Sequence, residues 1–215
     1  RVLQGKDAPC DFCTSPLLRE GENYTWEYTN PITGRHYILK DRLLEWDRRP
    51  ARMEIAFDTT ESEREKLLLK FTLEAEKMVT DCVGMLYRQN DIVQTTIQVL
   101  EKIGSFLRAD RTYIVDIRDE RMYNSQEWCA EGIAPHKGQI QGLPVSMIER
   151  WIPYFKQKEC IIIQDLEQFG DTGQMEYRLL QEQSITSLVA APLERDGMLL
   201  GYLAVDNPPA GQIMN

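Results

Sequence analysis

Two cysteine settings are where this sequence could carry chemistry. In "NSQEWCAEGIAPH" (124–136), Cys129 and His136 stand close together in a chain with only 5 cysteines and 2 histidines. A thiol nucleophile needs a lowered pKa, a base in reach and a third group to orient that base. If Trp128 to Glu131 is extended, its side chains alternate between faces, and the histidine lies out on "GIAPHKG" with nothing to fix it. Cys129 therefore reads as a packing thiol, or as a pocket-lining or redox-responsive one, and not as a nucleophile. Trp128 and Cys129 should point to opposite sides of the strand, so at most one can reach a pocket. The second setting is "PCDFC" (9–13), with Cys10 and Cys13 at C-x-x-C spacing. Such a pair supplies two ligands of a tetrahedral zinc, or a redox dithiol. His36 is the nearby imidazole, and there is no second C-x-x-C. Three readings stay open: structural thiols, a metal site completed by residues elsewhere, and a redox switch.

Carboxylates are plentiful, but none forms a cleft signature, and Gly-rich phosphate loops of the Walker or Rossmann type are lacking. The aromatic residues Trp128, Trp151, Tyr154, Phe155 and Tyr177 are better candidates for a pocket. Trp151 and Phe155, four apart, share one helix face and could project onto a sheet. They serve either as core or as apolar walls for a small organic ligand.

The bulk composition limits what these residues can be part of. The 215 residues suffice for one large domain or two small ones, and 42% hydrophobic residues can supply a core. A net charge of −9 argues against a nucleic-acid partner, which needs a basic face. No apolar run approaches the ~18 residues of a membrane span. The odd, thinly spread cysteines point to reduced thiols and a cytoplasmic protein. The chain opens on Arg1 rather than methionine, which reads as a piece of a larger protein.

The elements that must position these residues fall into three stretches. Residues 1–58 hold about three antiparallel strands, around "YTWEYTN" (24–30), "RHYILKDRLL" (35–44) and "ARMEIAFDTT" (51–60). Met53, Ile55 and Phe57 alternate with polar or small residues, as on a sheet with one face covered. So short a stretch cannot build a comfortable core of its own. From Asp58 a helix starts, with Thr59 or Thr60 as cap and acidic residues in its first turn. Leu68, Phe71, Ala75, Met78, Cys82 and Met85 then alternate three and four, the seam of a two-stranded coiled coil or of a helix lying on its own domain. A second amphipathic helix runs from Asp91 to about Leu107. After it come strands at 110–117 and 124–132, a helix at 143–158, a short buried strand at 159–166 and a helix at 173–183. A hairpin over 184–208 turns at Asp196-Gly197. This order is a sheet with helices on its faces, α+β or mixed.

On these residues two resemblances stand. "LRADRTYIVDI", "YNSQEWCAEGIAP", "IIIQDLEQF" and above all "SLVAAPLERDGMLLGYLAVDNP" resemble a GAF domain over residues 91–208. "PCDFC", "WEYTNPITGRHYILKDRLLEWDRRPARMEIAFDTTESER" resembles the C-terminal part of a PAS domain over residues 9–58, with Thr59 in place of the usual isoleucine. The resemblance implies a partial PAS antiparallel sheet (1–58), a connecting signalling helix (59–90) and a GAF domain (91–215) whose last helix begins at "GQIMN". It implies a non-catalytic bacterial sensory region with an antiparallel GAF-like sheet and helices on both faces. That region would be dimeric through the linker and first GAF helices. It would feed an output domain in the same full-length protein, a GGDEF diguanylate cyclase or, alternatively, a histidine kinase. The implied pocket places Asp165 near the ligand, although Asp165 can equally cap the turn after it. With Trp128, Cys129, Trp151, Phe155 and Tyr177 it makes up the candidate site for an unknown small molecule. Bilin-attaching GAF domains resemble one another in a Cys-His dipeptide, and cyclic-nucleotide ones in an N-K-F-D-E pattern; neither occurs here. A dimerisation module without ligand, and a sensor built on Cys10 and Cys13, are the competing readings.

Overall fold

The computed structural model describes residues 12–88, 91–168 and 175–209. They divide into two compact units, Arg1–Glu74 and Ala75–Asn215, the division falling inside one long helix.

In the first unit, β1 (Asn23–Thr29), β2 (His36–Trp46) and β3 (Arg49–Asp58) form an antiparallel meander in that order. The strands expected from the sequence are there, a few residues longer or shorter. Asn30 shapes the first turn: its Oδ1 accepts the N–H groups of Ile32 (2.9 Å) and Thr33 (3.1 Å), the side-chain turn that favours asparagine. The second turn is a two-residue hairpin through Asp47 (φ 53°) and Arg48 (φ 58°), both left-handed as a type I′ turn requires.

The covered face is not the one the alternation suggested. Met53, Ile55 and Phe57 are 40%, 44% and 48% exposed. The opposite face, with Trp26, Leu39 and Asp41, is the covered one: Phe12 stacks on Tyr28 at 4.8 Å between ring centroids, and Thr14 donates to Asp41. Period-two alternation groups side chains by face, but says nothing about which face another segment covers. Here the decisive residue is Asp41, wholly buried. Its Oδ2 accepts from Thr14 Oγ1 (2.7 Å), Trp26 Nε1 (2.8 Å) and Arg52 Nη2 (2.9 Å), and its Oδ1 accepts from Arg52 Nε (3.1 Å). These bonds hold its carboxyl below the usual range against the cost of burial.

The helix α1 (Thr60–Arg88) follows. Its opening oxygen comes from Asp58, whose Oδ1 accepts the Thr60 N–H at 3.1 Å. Glu61 and Glu63 occupy the first turn, where the helix dipole favours negative charge. Of the seam residues, Leu68 is exposed, Phe71, Ala75, Met78 and Met85 are half-buried, and Cys82 is buried with its Sγ 3.7 Å from Met78 Sδ. The widely exposed apolar residues, Leu69, Leu73, Val83 and Tyr87 among them, recur at helical spacing along another side of α1.

In the second unit, α2 (Ile92–Leu107) opens with Asp91 as N-cap, its Oδ1 accepting from Val93 N (3.0 Å) and Gln94 N (3.1 Å). An antiparallel sheet then forms from β4 (Arg111–Arg118), β5 (Arg121–Cys129), β6 (Gln141–Pro144), β7 (Ile161–Ile163), β8 (Leu188–Arg195) and β9 (Met198–Asp206). Its spatial order is β6-β5-β4-β9-β8-β7. The hairpins β4–β5 and β8–β9 turn through Asp119-Glu120 and Asp196-Gly197, all four residues at positive φ. The turn at Asp119-Glu120 starts β5 at Arg121, earlier than the expected residue 124, and β5 ends at Cys129 rather than 132. Helices cover both faces. On one, α2 packs against β4 and β5: Thr112 Oγ1 donates to Leu100 O at 2.7 Å. Gly104 is needed there, because a Cβ would lie 2.3 Å from the Trp128 ring. On the other lie α3 (Ile152–Lys156) and α4 (Met175–Glu182) over a core that includes Val115, Met122, Ile148 and Leu188. Gly201 serves the sheet itself, since a Cβ would meet the Val115 carbonyl.

The helix expected over 143–158 is broken into three. Leu143 and Pro144 end the edge strand β6, Val145–Ile148 make a 3-10 turn, and only Ile152–Lys156 are α-helical. Pro153 explains the interruption, because inside the run it lacks the N–H that a continuous helix would use, whereas Pro144 lies at its start. Pro144 sits on an edge strand and Pro153 in the first turn of α3, positions that tolerate it.

Candidate functional site

The face of the second sheet opposite α2 is apolar at one end and polar at the other. The polar end is built from strand register. Arg111 on β4 pairs directly with Asp206 on β9 and with Cys129 on β5, so their side chains share one face with Tyr113 and Glu127, two residues along. Arg111 Nε donates to Asp206 Oδ2 at 2.9 Å, and Tyr113 donates its O–H to Asp206 Oδ1 at 3.1 Å. Arg111 also reaches outward, from Nη2 to Gln183 O (3.1 Å) and from Nη1 to Ala134 O (3.4 Å). One side chain thus ties the end of α4 and the β5–β6 connection to the sheet. In that connection Glu127 accepts from the backbone N–H of His136 (3.1 Å) and Lys137 (3.0 Å), and from Asn124 Nδ2 (3.2 Å).

Burial sets the electrostatics. Asp206 is 1% exposed and its carboxyl is pushed up to about 6 by loss of solvent, opposed by Arg111 and Tyr113. The Tyr113 phenol is held well above its ordinary value by burial and by Asp206. Burial and the Arg111 charge lower the His136 imidazole, which keeps it neutral near pH 7. The Cys129 thiol is pushed up to about 11 by burial and by Glu127, the opposite of what a nucleophile needs. Three buried polar atoms at this end have no hydrogen-bond partner among the described residues: Asn124 Oδ1, His136 Nδ1 and Gln183 Nε2. Asn124 and Gln183 are each 2% exposed. A buried polar atom without a partner costs about 1–3 kcal/mol, so a ligand or ordered water that bonded them would be bound favourably.

The residues named from the sequence are not gathered in one place. Trp128 lies on the α2 side, its ring against Gly104 and Thr112, whereas Cys129 is opposite Arg111 on the other side. Trp151, Phe155 and Tyr177 are buried in the apolar end, where Trp151 and Phe155 meet the Tyr202 ring at centroid distances of 6.1 and 5.6 Å. Trp151 Nε1 is a further unpartnered atom. Asp165 borders an open groove of about 790 Å³ with Gln168, Thr186 and Asn207, and caps the following turn through Glu167 N at 2.9 Å. In the first unit, Cys13 lies beside Ser15, which bonds Arg52, while His36 bonds Thr59 at 2.9 Å. Arg52 and Asp58, beside these two places, are about 20 Å apart along β3 at strand rise. Cys13 and His36 are therefore not brought together, and Cys10 lies outside the described residues. No group of three His, Cys, Asp or Glu side chains able to hold a metal occurs among the described residues.

Sequence reasoning missed Arg111, Tyr113, Asn124, Gln183 and Asp206. The signal available was a charge at one end of each of two apolar runs, Arg111 in "DRTYIVDI" and Asp206 in "LLGYLAVDNP". Its meaning depended on the register that pairs those ends.

The sequence matches the GAF domain family over residues 91–213. No curated protein matches the chain. Among solved structures it is similar to the wild-type chromophore-binding domain of phytochrome P1 from Stigmatella aurantiaca. That similarity has 16% identity and a TM-score of 0.52, over 86% of this chain and 64% of that one. It is similar to the chromophore-binding domain of an unusual bacteriophytochrome from R. palustris, with 14% identity and a TM-score of 0.52, over 87% and 66%. It is also similar to the blue-light-absorbing PixJ GAF domain of Thermosynechococcus elongatus, with 18% identity and a TM-score of 0.46, over 61% and 71%.

Proposed function

The chain belongs to the GAF domain family, and from that premise we propose that it is a sensory, regulatory region that binds a small molecule at the polar end of its sheet. The observation that carries this reading is the set of unpartnered buried atoms on Asn124, His136 and Gln183 beside the Arg111–Asp206 pair. They offer a ligand both donors and an acceptor inside a water-poor site, where such bonds are strong. Arg111 links the ligand's surroundings to α4 and the β5–β6 connection, so binding would bias how these elements pack. That bias becomes a signal only if two packings exist and the ligand binds them unequally.

A bilin held covalently through Cys129 does not fit these residues. Cys129 has its thiol beside Glu127 and Arg111 with its pKa pushed up, and Trp151, Phe155 and Tyr202 fill the neighbouring face with ring contacts. The likeness to chromophore-binding domains is a likeness of fold.

In the wider reading, the first unit is the C-terminal part of a PAS domain. Its three-stranded meander leading into a long helix supports this. The exposed apolar residues of α1 support a homodimer through the linker and first GAF helices, passing the signal to an output domain. That output is a GGDEF diguanylate cyclase, with a histidine kinase as the alternative, in a cytoplasmic bacterial protein. Among the described residues no helix is long and apolar enough to cross a membrane.

Native mass spectrometry of the chain purified from cells tests the ligand. The expected result is a small-molecule adduct that is lost on denaturation and much reduced in a Gln183→Leu variant. An adduct-free protein whose three polar atoms are bonded to ordered water in a high-resolution crystal structure would favour a dimerisation module without ligand.

A further inference from the structure

A second cavity, of about 330 Å³, lies on the covered face of the β1–β2–β3 sheet, at the lower end of the range of roughly 300–1,000 Å³ for small-molecule sites. Phe12, Trp26, Tyr28, Tyr37, Arg52 and Glu54 are among its walls. Three of the rings touch one another, with centroids 4.8 Å apart for Phe12–Tyr28, 5.9 Å for Trp26–Tyr28 and 6.0 Å for Phe12–Trp26.

The charges around this aromatic wall do not cancel. Arg52 contributes one positive charge, and Asp41 and Glu54 contribute two negative ones, both in contact with it. The Arg52 guanidinium is also largely used: Nε and Nη2 bond Asp41, Nη2 contacts Glu54, and Nη1 bonds Ser15 Oγ at 3.1 Å. It has no free pair of parallel N–H groups with which to hold a carboxylate or phosphate. Asp41 cannot shed its charge cheaply, because Thr14, Trp26 and Arg52 all donate to it. Arg52 and Glu54 are the charged residues in the lining among the described residues, and with the buried Asp41 that bonds Arg52 from behind it the aromatic wall carries one excess negative charge.

We propose that this cavity binds a small organic monocation of the quaternary-ammonium type, held by the faces of Trp26, Tyr28 and Phe12 and by the Glu54 carboxylate. Ring faces attract a cation electrostatically, and a methylated ammonium sheds its water more easily than a primary one. Glu54 is exposed and on the rim, so it draws the cation in without carrying the fold. This inference concerns the first unit and stands or falls separately from the ligand site of the second.

The experiment is calorimetric titration of the full chain with tetramethylammonium chloride against sodium chloride at matched ionic strength. A parallel titration uses 3,3-dimethylbutanol as a neutral molecule of similar shape, and a third uses sodium acetate. Saturable binding of tetramethylammonium below ~10 mM is expected, with a loss of about tenfold, or 1.4 kcal/mol, in Glu54→Gln and likewise in Tyr28→Leu. Circular dichroism that matches the parent protein shows that each variant is folded. Equal binding of the neutral molecule, binding of acetate instead, or no saturable heat with tetramethylammonium each overturns the proposal.

Discussion

Each of the two units buries an aspartate beside an arginine, and the two aspartates behave in opposite ways. Asp41 is 0% exposed and Asp206 is 1% exposed, so contact with solvent does not separate them. Asp41 accepts four hydrogen bonds, from Thr14, Trp26 and two nitrogens of Arg52, whereas the Asp206 carboxyl accepts from Arg111 and Tyr113. Asp41 also sits near the surface, with the Arg52 side chain 26% exposed, while Arg111 is only 5% exposed. The carboxyl is lowered in the first unit and raised to about 6 in the second. Hydrogen bonds to the ionised form favour it and loss of solvent opposes it, and the depth of burial together with the number of donors decides which wins. Asp41 is a structural charge, fully satisfied. Asp206 is poised, and it stands beside polar atoms that lack partners.

The comparison is most easily broken by removing the arginines. Arg111→Met should strip a deeply buried carboxylate of its counter-charge and cost about 3–5 kcal/mol, read by chemical denaturation. Arg52→Met should cost less, about 1–3 kcal/mol, because Thr14 and Trp26 still donate to Asp41 and solvent is closer. Equal losses would mean that the two pairs do not differ in the way described.

The third comparison concerns pH, and the signs are opposite. Asp41 binds its proton less tightly in the folded chain than the ordinary 3.8, so its stabilising contribution is present above that pH and is lost as pH falls through and below it. Asp206 binds its proton more tightly. Its contribution is complete below 3.8 and is lost as pH rises toward about 6. Asp206→Asn should therefore remove a decline in stability between 3.8 and about 6 without touching the acid limb below it. Denaturation midpoints at half-unit pH steps measure this, and an unchanged profile would place Asp206 among ordinary carboxylates.

Much of the fold was legible. A sheet with helices on its faces, the Asp91–Leu107 helix and the Asp196-Gly197 hairpin follow from period, cap and turn residues, and the GAF resemblance added that the sheet is antiparallel. One hairpin was harder to see, because Asp119-Glu120 adopts the left-handed turn without a glycine. That is why β5 begins three residues earlier than expected. The apolar run through 143–158 looked helical because periodicity does not register that Pro153 divides it. The candidate site was less legible. Cys129 and the aromatics stood out by residue type, but Trp128 went to the α2 side and Trp151 and Phe155 into the core.

Local chemistry is what the sequence determined by itself: where helices start, which turns can form, and that Trp128 and Cys129 lie on opposite faces of a strand. Those depend on residues a few positions apart. The tertiary structure alone decided that Arg111 meets Asp206 across β4 and β9, 95 positions apart, and that Asp41 rather than Met53, Ile55 and Phe57 faces the covered side. Burial and register are properties of the assembled sheet, and they are what turned two ordinary aspartates into one fixed charge and one that titrates near pH 6.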